Sequence, residues 1–418
     1  MRRSFNVRVS LALAMAAMVT LVAAAPALAV SPTIYNLGTL GGTDSQGFAI
    51  NSVGQVTGAS YTTGNAAMHA FLYTGTPGSG GSMADLGTLG GTDSSGYAIN
   101  AAGQVAGRSY TTGNAAMHGF LYTGTPGSGG SMADLGTLGG SYSDGWAINA
   151  AGQVAGTSYT TGNAAQHAFL YTGTPGSGGS MADLGTLGGT NSAGRAINAT
   201  GQVTGNSQTT GNAAQPAFLY TGTPGSGGQT IDLGTLGGTL SLGRAINAAG
   251  QVAGHSYTAG NAAYHAFLYT GTPGSGGSMA DLGTLGGTNS IGHAINAFGQ
   301  VAGYSDLAGN AAQHAFLYTG TPGSGGQMID LDAWLDANNP VEGAKWTLTS
   351  AYGLNDAGWV TGYGNYNDGA GGLSDGTRAF LLDATSLVPE PATLALLALG
   401  LLPTLLLLRR VLGRGDRG

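Results

Sequence analysis

The stretch DLGTLGGTDSSGYAINAAGQVAGRSYTTGNAAMHGFLYTGTPGSGGSMA, residues 85–133, decides the fold, because the chain repeats it. Its opening Asp-Leu-Gly returns at Asp134, Asp183, Asp232 and Asp281, a constant step of 49 residues. Asn36-Leu37-Gly38 lies one step before Asp85, and Asp330-Leu331 one step after Asp281. Units therefore begin near residues 36, 85, 134, 183, 232, 281 and 330. A fixed period of this size marks repeated supersecondary units that bury their apolar faces against one another. Within residues 85–133 the apolar runs are four to six residues long and bracketed by Gly, Asn, Thr or Pro. Such runs are too short for stable helices and read as strands. The expected strands are Tyr97–Asn100, Val105–Ser109, His118–Thr123 and Met132–Leu135, with a turn at Ala101–Gln104 and a flexible T-P-G-S-G-G hairpin loop.

Four strands in about 50 residues is the content of one β-propeller blade. The expected fold is therefore all-β, a seven-bladed propeller over residues 30–385. The body enters on Ile34-Tyr35-Asn36-Leu37, which matches a fourth strand, and leaves on Ala379-Phe380-Leu381-Leu382, which matches a third. Pairing these two segments would complete one blade and remove open sheet edges. The competing architecture is a linear β-solenoid, which needs terminal caps.

The unit resembles the extracellular HAF repeat, named for its His-Ala-Phe tripeptide. His69-Ala70-Phe71, His167-Ala168-Phe169, His265-Ala266-Phe267 and His314-Ala315-Phe316 carry that name, alongside D-L-G-T-L-G-G and I-N-x-x-G-Q-V blocks. The departures are His118-Gly119-Phe120, Pro216-Ala217-Phe218 and Arg378-Ala379-Phe380. The resemblance implies an extracellular protein and supplies no activity.

Both termini read as addresses. Arg2, Arg3 and Arg8 precede an apolar run ending Ala27-Leu28-Ala29, the pattern of a secretory signal peptide over residues 1–29. Residues 386–418 hold Val388-Pro389-Glu390-Pro391, an apolar run over 392–408 and then Arg409, Arg410, Arg414 and Arg417. At 1.5 Å per residue that run is long enough for a transmembrane helix across a thin bilayer, with the basic cluster held on the cytoplasmic side. Motif, span and basic tail together resemble the PEP-CTERM sorting signal of Gram-negative bacteria. The resemblance implies an exosortase as partner, an inner-membrane intermediate during sorting, a secreted or cell-surface destination and association with exopolysaccharide.

Composition narrows the function. The chain has 418 residues, 80 of them Gly, with no Cys and a net charge of −7. Absence of Cys excludes disulfides and thiolate sites. Between Val30 and Val388 only Arg108, Arg195, Arg244, Lys345 and Arg378 oppose 17 acidic residues, which leaves −12 there. That balance opposes nucleic-acid binding. No G-x-S-x-G, Walker A or H-E-x-x-H occurs, and the Gly-rich loops lack the Lys of a phosphate cradle. Asp336 and Glu342 form the one imaginable carboxylate pair, in the least regular unit. The His column is interrupted by Pro216 and Arg378, and its members belong to different blades, so it reads as strand-entrance structure rather than a metal centre. The recurrent Asp reads as an acceptor for turn N–H groups. We expect neither catalytic residues, metal nor cofactor.

Variation between near-identical units concentrates in two columns. Two residues before each Ile of A-I-N stand Phe48, Tyr97, Trp146, Arg195, Arg244, His293 and Tyr352. After the Gly of V-x-G stand Ala59, Arg108, Thr157, Asn206, His255, Tyr304 and Tyr363. If the first two strands form a hairpin in which Asn100 opposes Val105, Tyr97 faces Arg108 directly and the pairs ring one rim of the molecule. Tyr97, Arg108, Trp146, Arg195, Asn206, Arg244, His255, His293 and Tyr304 are then the candidate ligand-binding residues. Aromatic and Arg side chains favour binding hot spots, whereas drift at exposed positions would leave the same variability. The functional expectation is an exported surface or extracellular-matrix protein with a structural or binding role, associated with exopolysaccharide. Its alternative is a glycan-recognition module at the rim, and the less favoured third reading is a glycan hydrolase or lyase.

Overall fold

The computed structural model describes residues 31–76, 79–369 and 375–388. Each repeat forms an antiparallel four-stranded sheet; in the second unit the strands are Gly90–Ile99, Val105–Thr111, Met117–Thr125 and Ser128–Asp134. Six such four-stranded sets follow one another along the chain, the second and third joined by a parallel pairing of Tyr142 with Met117. The seventh combines Trp346–Leu354, Trp359–Tyr366 and Gly376–Asp383 with Ile34–Asn36 from the other end of the chain. That pairing is in register, Ile34 opposite Leu382, Tyr35 opposite Leu381 and Asn36 opposite Phe380. Backbone bonds from Leu37 N to Ala379 O (3.0 Å) and from Asp383 N to Thr33 O (2.8 Å) extend it. The strand pairing expected of the two chain ends is thus present.

Two local readings are corrected. The first strand begins at Gly90, seven residues before the expected start, because Gly-Gly acts here as strand rather than loop. A Cβ on Gly91 would lie 2.5 Å from the Cβ of Tyr110, so only glycine lets these strands approach. The hairpin tip is a tight two-residue turn: the strands extend to Thr125 and from Ser128, leaving Pro126 and Gly127, whose φ of 72° is left-handed. The final unit also departs from an all-strand pattern. Helices span Leu331–Asn338 and Pro340–Gly343, the first capped by the Asp330 side chain, which accepts from Asp332 N and Ala333 N. Leu331 and Leu335, four residues apart, bury the same face.

The third strand reads as an unbroken apolar run because both of its faces are covered. Phe120, Leu121 and Tyr122 are all buried. Ala70, Leu72 and Leu86 of one sheet pack with Ile99, Val105, Phe120 and Tyr122 of the next. The same interface recurs between later sheets. It recurs once more between the last sheet, through Leu37, Ala379 and Leu381, and the first, through Val56, Phe71 and Tyr73.

The N-x-x-G-Q turns supply a second repeating bond between sheets. Asn100 Oδ1 accepts from Ala102 N and Gln104 N, and its Nδ2 donates to Gln104 Oε1 and across to the Asn149 carbonyl (3.1 Å). Equivalent cross-sheet bonds link Asn51 to Asn100, Asn149 to Asn198, Asn198 to Asn247, Asn247 to Asn296 and Asn355 to Asn51. Between the sixth and seventh sheets Ala297 N donates instead to Asp356 Oδ1 at 2.7 Å.

The expected signal peptide, the transmembrane helix at 392–408 and the sorting residues Pro389, Glu390 and Pro391 lie outside the described residues. Among the described residues no helix is long and apolar enough to cross a membrane. Val388, the first residue of the expected sorting motif, is only 9% exposed. The Leu387 carbonyl before it accepts from Gln300 Nε2.

Candidate functional site

The first variable column occupies a β-bulge. Gly96 opposes Gly107 and Ala98 opposes Ala106, so Tyr97 is the extra residue between them. The same shift recurs at Phe48, Trp146, Arg195, Arg244 and His293. The expectation that Tyr97 faces Arg108 is corrected: Ser95 is opposite Arg108, and Ile99, not Asn100, is opposite Val105. A bulge bends its strand and re-aims the extra side chain. Here it turns the column from the expected rim into a central cavity of about 550 Å³. Phe48, Tyr97, Trp146, Arg195, Arg244, His293 and Tyr352 all line this cavity, with the Ala and Ile that follow Phe48, Arg195, Arg244 and His293.

Neighbours in the column touch around the cavity. The rings of Tyr97 and Trp146 stack at 4.2 Å between centroids and 16° between planes. The Arg195 guanidinium lies 4.0 Å from the Trp146 ring centroid, a cation–π contact. His293 and Tyr352 stack at 4.0 Å and 18°. Phe48 closes the aromatic arc, 5.8 Å from Tyr97 and edge-on to Tyr352 at 5.5 Å. Stacked neighbours point their ring faces along the circumference, so the ring edges face the cavity.

The second column backs the first, except that Tyr363 also lines the cavity. Arg108 lies 5.5 Å from the Tyr97 centroid, His293 meets Tyr304 at 5.7 Å and Tyr352 meets Tyr363 at 5.7 Å. Arg244 donates its Nε–H to His255 Nδ1 at 3.2 Å. Of the nine candidates, Tyr97, Trp146, Arg195, Arg244 and His293 reach the cavity. Arg108, His255 and Tyr304 stand behind them, and Asn206 is buried at its own strand position.

Electrostatics divide the cavity. Burial lowers the Arg195 pKa, partly offset by Asp144. Burial and the charge of Arg195 bring Arg244 down to about 10, still protonated at neutral pH. Burial, then Arg244 and Arg195, push His255 down to about 3, in keeping with its role as acceptor from Arg244. Burial, with Arg244 next, holds His293 well below its ordinary value. Burial raises Tyr97 to about 12. The half-buried arc from Arg195 to His293 thus carries two cations and neutral imidazoles. Arg195 Nε and His293 Nε2 are buried without a hydrogen-bond partner.

Sequence reasoning missed the residues opposite the second column. Asp144 sits there, opposite Thr157, and is 2% exposed. Its Oδ2 accepts from the Tyr142 hydroxyl and its Oδ1 lies 3.9 Å from Arg108 Nη1, while burial raises its pKa. The available signal was a single acid in a column otherwise filled by Gln46, Ser95, Ala193, Leu242, Ile291 and Ser350.

The conserved His and Asp columns, read separately in sequence, bond to each other. His69, His118, His167, His265 and His314 place Nδ1 2.6–2.9 Å from Asp85, Asp134, Asp183, Asp281 and Asp330. Each pair joins the third and fourth strands of its own sheet, apart from the cavity. Asp85, Asp134, Asp183 and Asp281 also accept from the N–H two residues on, as an Asx turn does. Among the described residues no group of three or more potential metal ligands converges. Glu342 is held by Lys345 at 2.7 Å, in the helical segment of the final unit.

No protein-family model matches the chain, and no curated protein does. Among solved structures it is similar to a fungal alcohol oxidase of the AA5 family in complex with copper. The identity is 13%, the TM-score 0.43, and the match covers 86% of this chain and 78% of that one. The expected exopolysaccharide-associated surface or matrix protein is corrected: the similar structure is an oxidase, and the variable column expected to meet polysaccharide at a rim lines a cavity instead. Its glycan-recognition and glycan-cleaving alternatives are withdrawn with it, and the rim on which recognition depended is replaced by an inward-facing wall. A likeness this slight carries no argument for oxidase or copper chemistry in this chain.

Proposed function

We propose that the seven sheets close into a seven-bladed β-propeller and that the chain is a binding protein holding a small organic ligand in the central cavity. Recurrence of one interface between the last and first sheets supports closure. The observation that carries the binding reading is convergence. Units that are otherwise almost copies differ where their side chains meet at one cavity, and they fill it with four aromatics, two Arg and a His. Its volume of about 550 Å³ falls within the range of small-molecule sites. The reading is of binding without conversion. Asp144 is engaged by Tyr142 and Arg108, and it does not line the cavity. Export, surface delivery, exosortase handling and the HAF and PEP-CTERM resemblances rest on the sequence signals alone and form part of the same proposal.

The test uses an uncharged aromatic probe, 2-naphthalenemethanol, followed through quenching of Trp146 fluorescence, with Trp146→Phe as the background control. The expected result is saturable quenching that disappears in Ala245→Phe, which fills the cavity from its wall without adding a tryptophan. Equal quenching in that variant, or none in the parent chain, refutes cavity binding.

A further inference from the structure

Resting on the binding reading above, we infer that the cavity is built for an aromatic carboxylate, with the carboxylate held by Arg195 and Arg244 and the ring seated among inward-facing aromatic edges. The first observation is charge with no carboxylate at contact distance, Asp144 acting on Arg195 only from beyond it. Among the described residues neither arginine has a carboxylate within ion-pair distance, although both line one cavity from adjacent units. Arg195 stacks on Trp146 and has a buried Nε without a hydrogen-bond partner. Arg244 donates its Nε–H to a neutral imidazole, which leaves its positive charge unmatched. Two like charges facing a common space repel each other, and an anion between them relieves both the repulsion and the lost hydration. The guanidinium fork matches a carboxylate in plane and spacing.

The second observation is independent of charge. Stacking of Tyr97 on Trp146 and of His293 on Tyr352 runs around the circumference, so these rings present edges to the axis. Ring edges carry the positive end of the aromatic quadrupole and pack favourably on the face of another ring. The aromatic arc and the arginine arc therefore prefer complementary ends of one molecule, an electron-rich ring and an anionic group.

The experiment compares 2-naphthoate with 2-naphthalenemethanol, which differ in the charged group, by Trp146 fluorescence in the full chain. Inorganic phosphate serves as the competing anion. A hydrogen-bonded charge pair predicts that naphthoate binds about tenfold or more tightly than the alcohol. That gain should vanish in the Arg195→Gln/Arg244→Gln double variant. Independently of any variant, naphthoate but not the alcohol should protect Arg195 and Arg244 from phenylglyoxal, read by peptide mass spectrometry. Equal affinity for the two probes, or unprotected arginines, overturns the carboxylate inference while alcohol binding leaves the binding reading standing. Displacement of naphthoate by phosphate at equal concentration overturns the preference for a carboxylate. Loss of both probes in the parent chain removes both readings together.

Discussion

Leu37 offers a direct measure of how firmly the two chain ends are joined. It is 4% exposed and packs on Val56, Phe71 and Tyr73 of the first sheet. Leu86 and Leu135, its equivalents 49 and 98 residues on, are 6% and 5% exposed in the corresponding internal interfaces. Replacing a buried Leu by Ala costs about 2–5 kcal/mol, combining lost transfer energy with a residual cavity. A residue on a loose terminus costs about 0.5 kcal/mol or less. Because the three sites share neighbours of the same kind, Leu37→Ala should cost nearly as much as Leu86→Ala, and the ratio is insensitive to the absolute scale. Urea unfolding, with slopes checked for equality, measures all three. A Leu37→Ala cost below about 0.5 kcal/mol beside a Leu86→Ala cost above about 2 kcal/mol would refute the joined ends.

Further outcomes follow from other contacts. Asn149→Ala removes a donor to the Asn198 carbonyl and an acceptor for Ala151 N and Gln153 N, and should cost about 2–3 kcal/mol in the same unfolding assay. A near-neutral result would mean that this bond between sheets contributes little. Gly107→Ala, whose Cβ would overlap the Ser95 carbonyl, should abolish soluble folded protein on expression; Gly113→Ala, at φ 70° with open space around it, should cost about 1 kcal/mol. The folded state keeps His255 and His293 neutral well below the 6.5 of an unfolded His, so the unfolded chain binds more protons and stability falls as pH drops from 7 to 5. His69, raised by its bond to Asp85, acts oppositely, contributing stability at low pH that is lost as pH rises through its raised value. The difference between parent and His255→Gln/His293→Gln isolates the cavity pair; an unchanged acid slope in that variant contradicts it.

Much of this architecture was legible because the apolar code is short-range and repeated. The 49-residue step and the F-L-Y run placed the units and their buried strands. Ile34-Tyr35-Asn36, matched to a fourth strand, named its partner Phe380-Leu381-Leu382 correctly. Side-chain direction was less legible. One extra residue at Tyr97 reverses which way the column points, and nothing in the string GYAIN distinguishes a bulge from regular pairing. The strand beginning at Gly90 was hidden because Gly-Gly ordinarily marks a turn, while its role here depends on the approach of Tyr110. Asp144 was overlooked because its column lies across the hairpin from the one scanned. The helix at Leu331–Asn338 escaped because it is only eight residues long and interrupts the period in the least regular unit.

The bulge has an evolutionary corollary. It separates the variable side chains of the cavity from the interfaces that hold the sheets together, since Val105, Phe120 and Tyr122 have identical counterparts whether the bulged position carries Phe48, Trp146 or Arg244. Exchanging whole 49-residue cassettes for one another would therefore place new side chains at the cavity while leaving those interfaces in place. Genes of this design can explore ligand space by recombination between their own near-identical segments, a route closed to proteins whose binding residues also hold up the core.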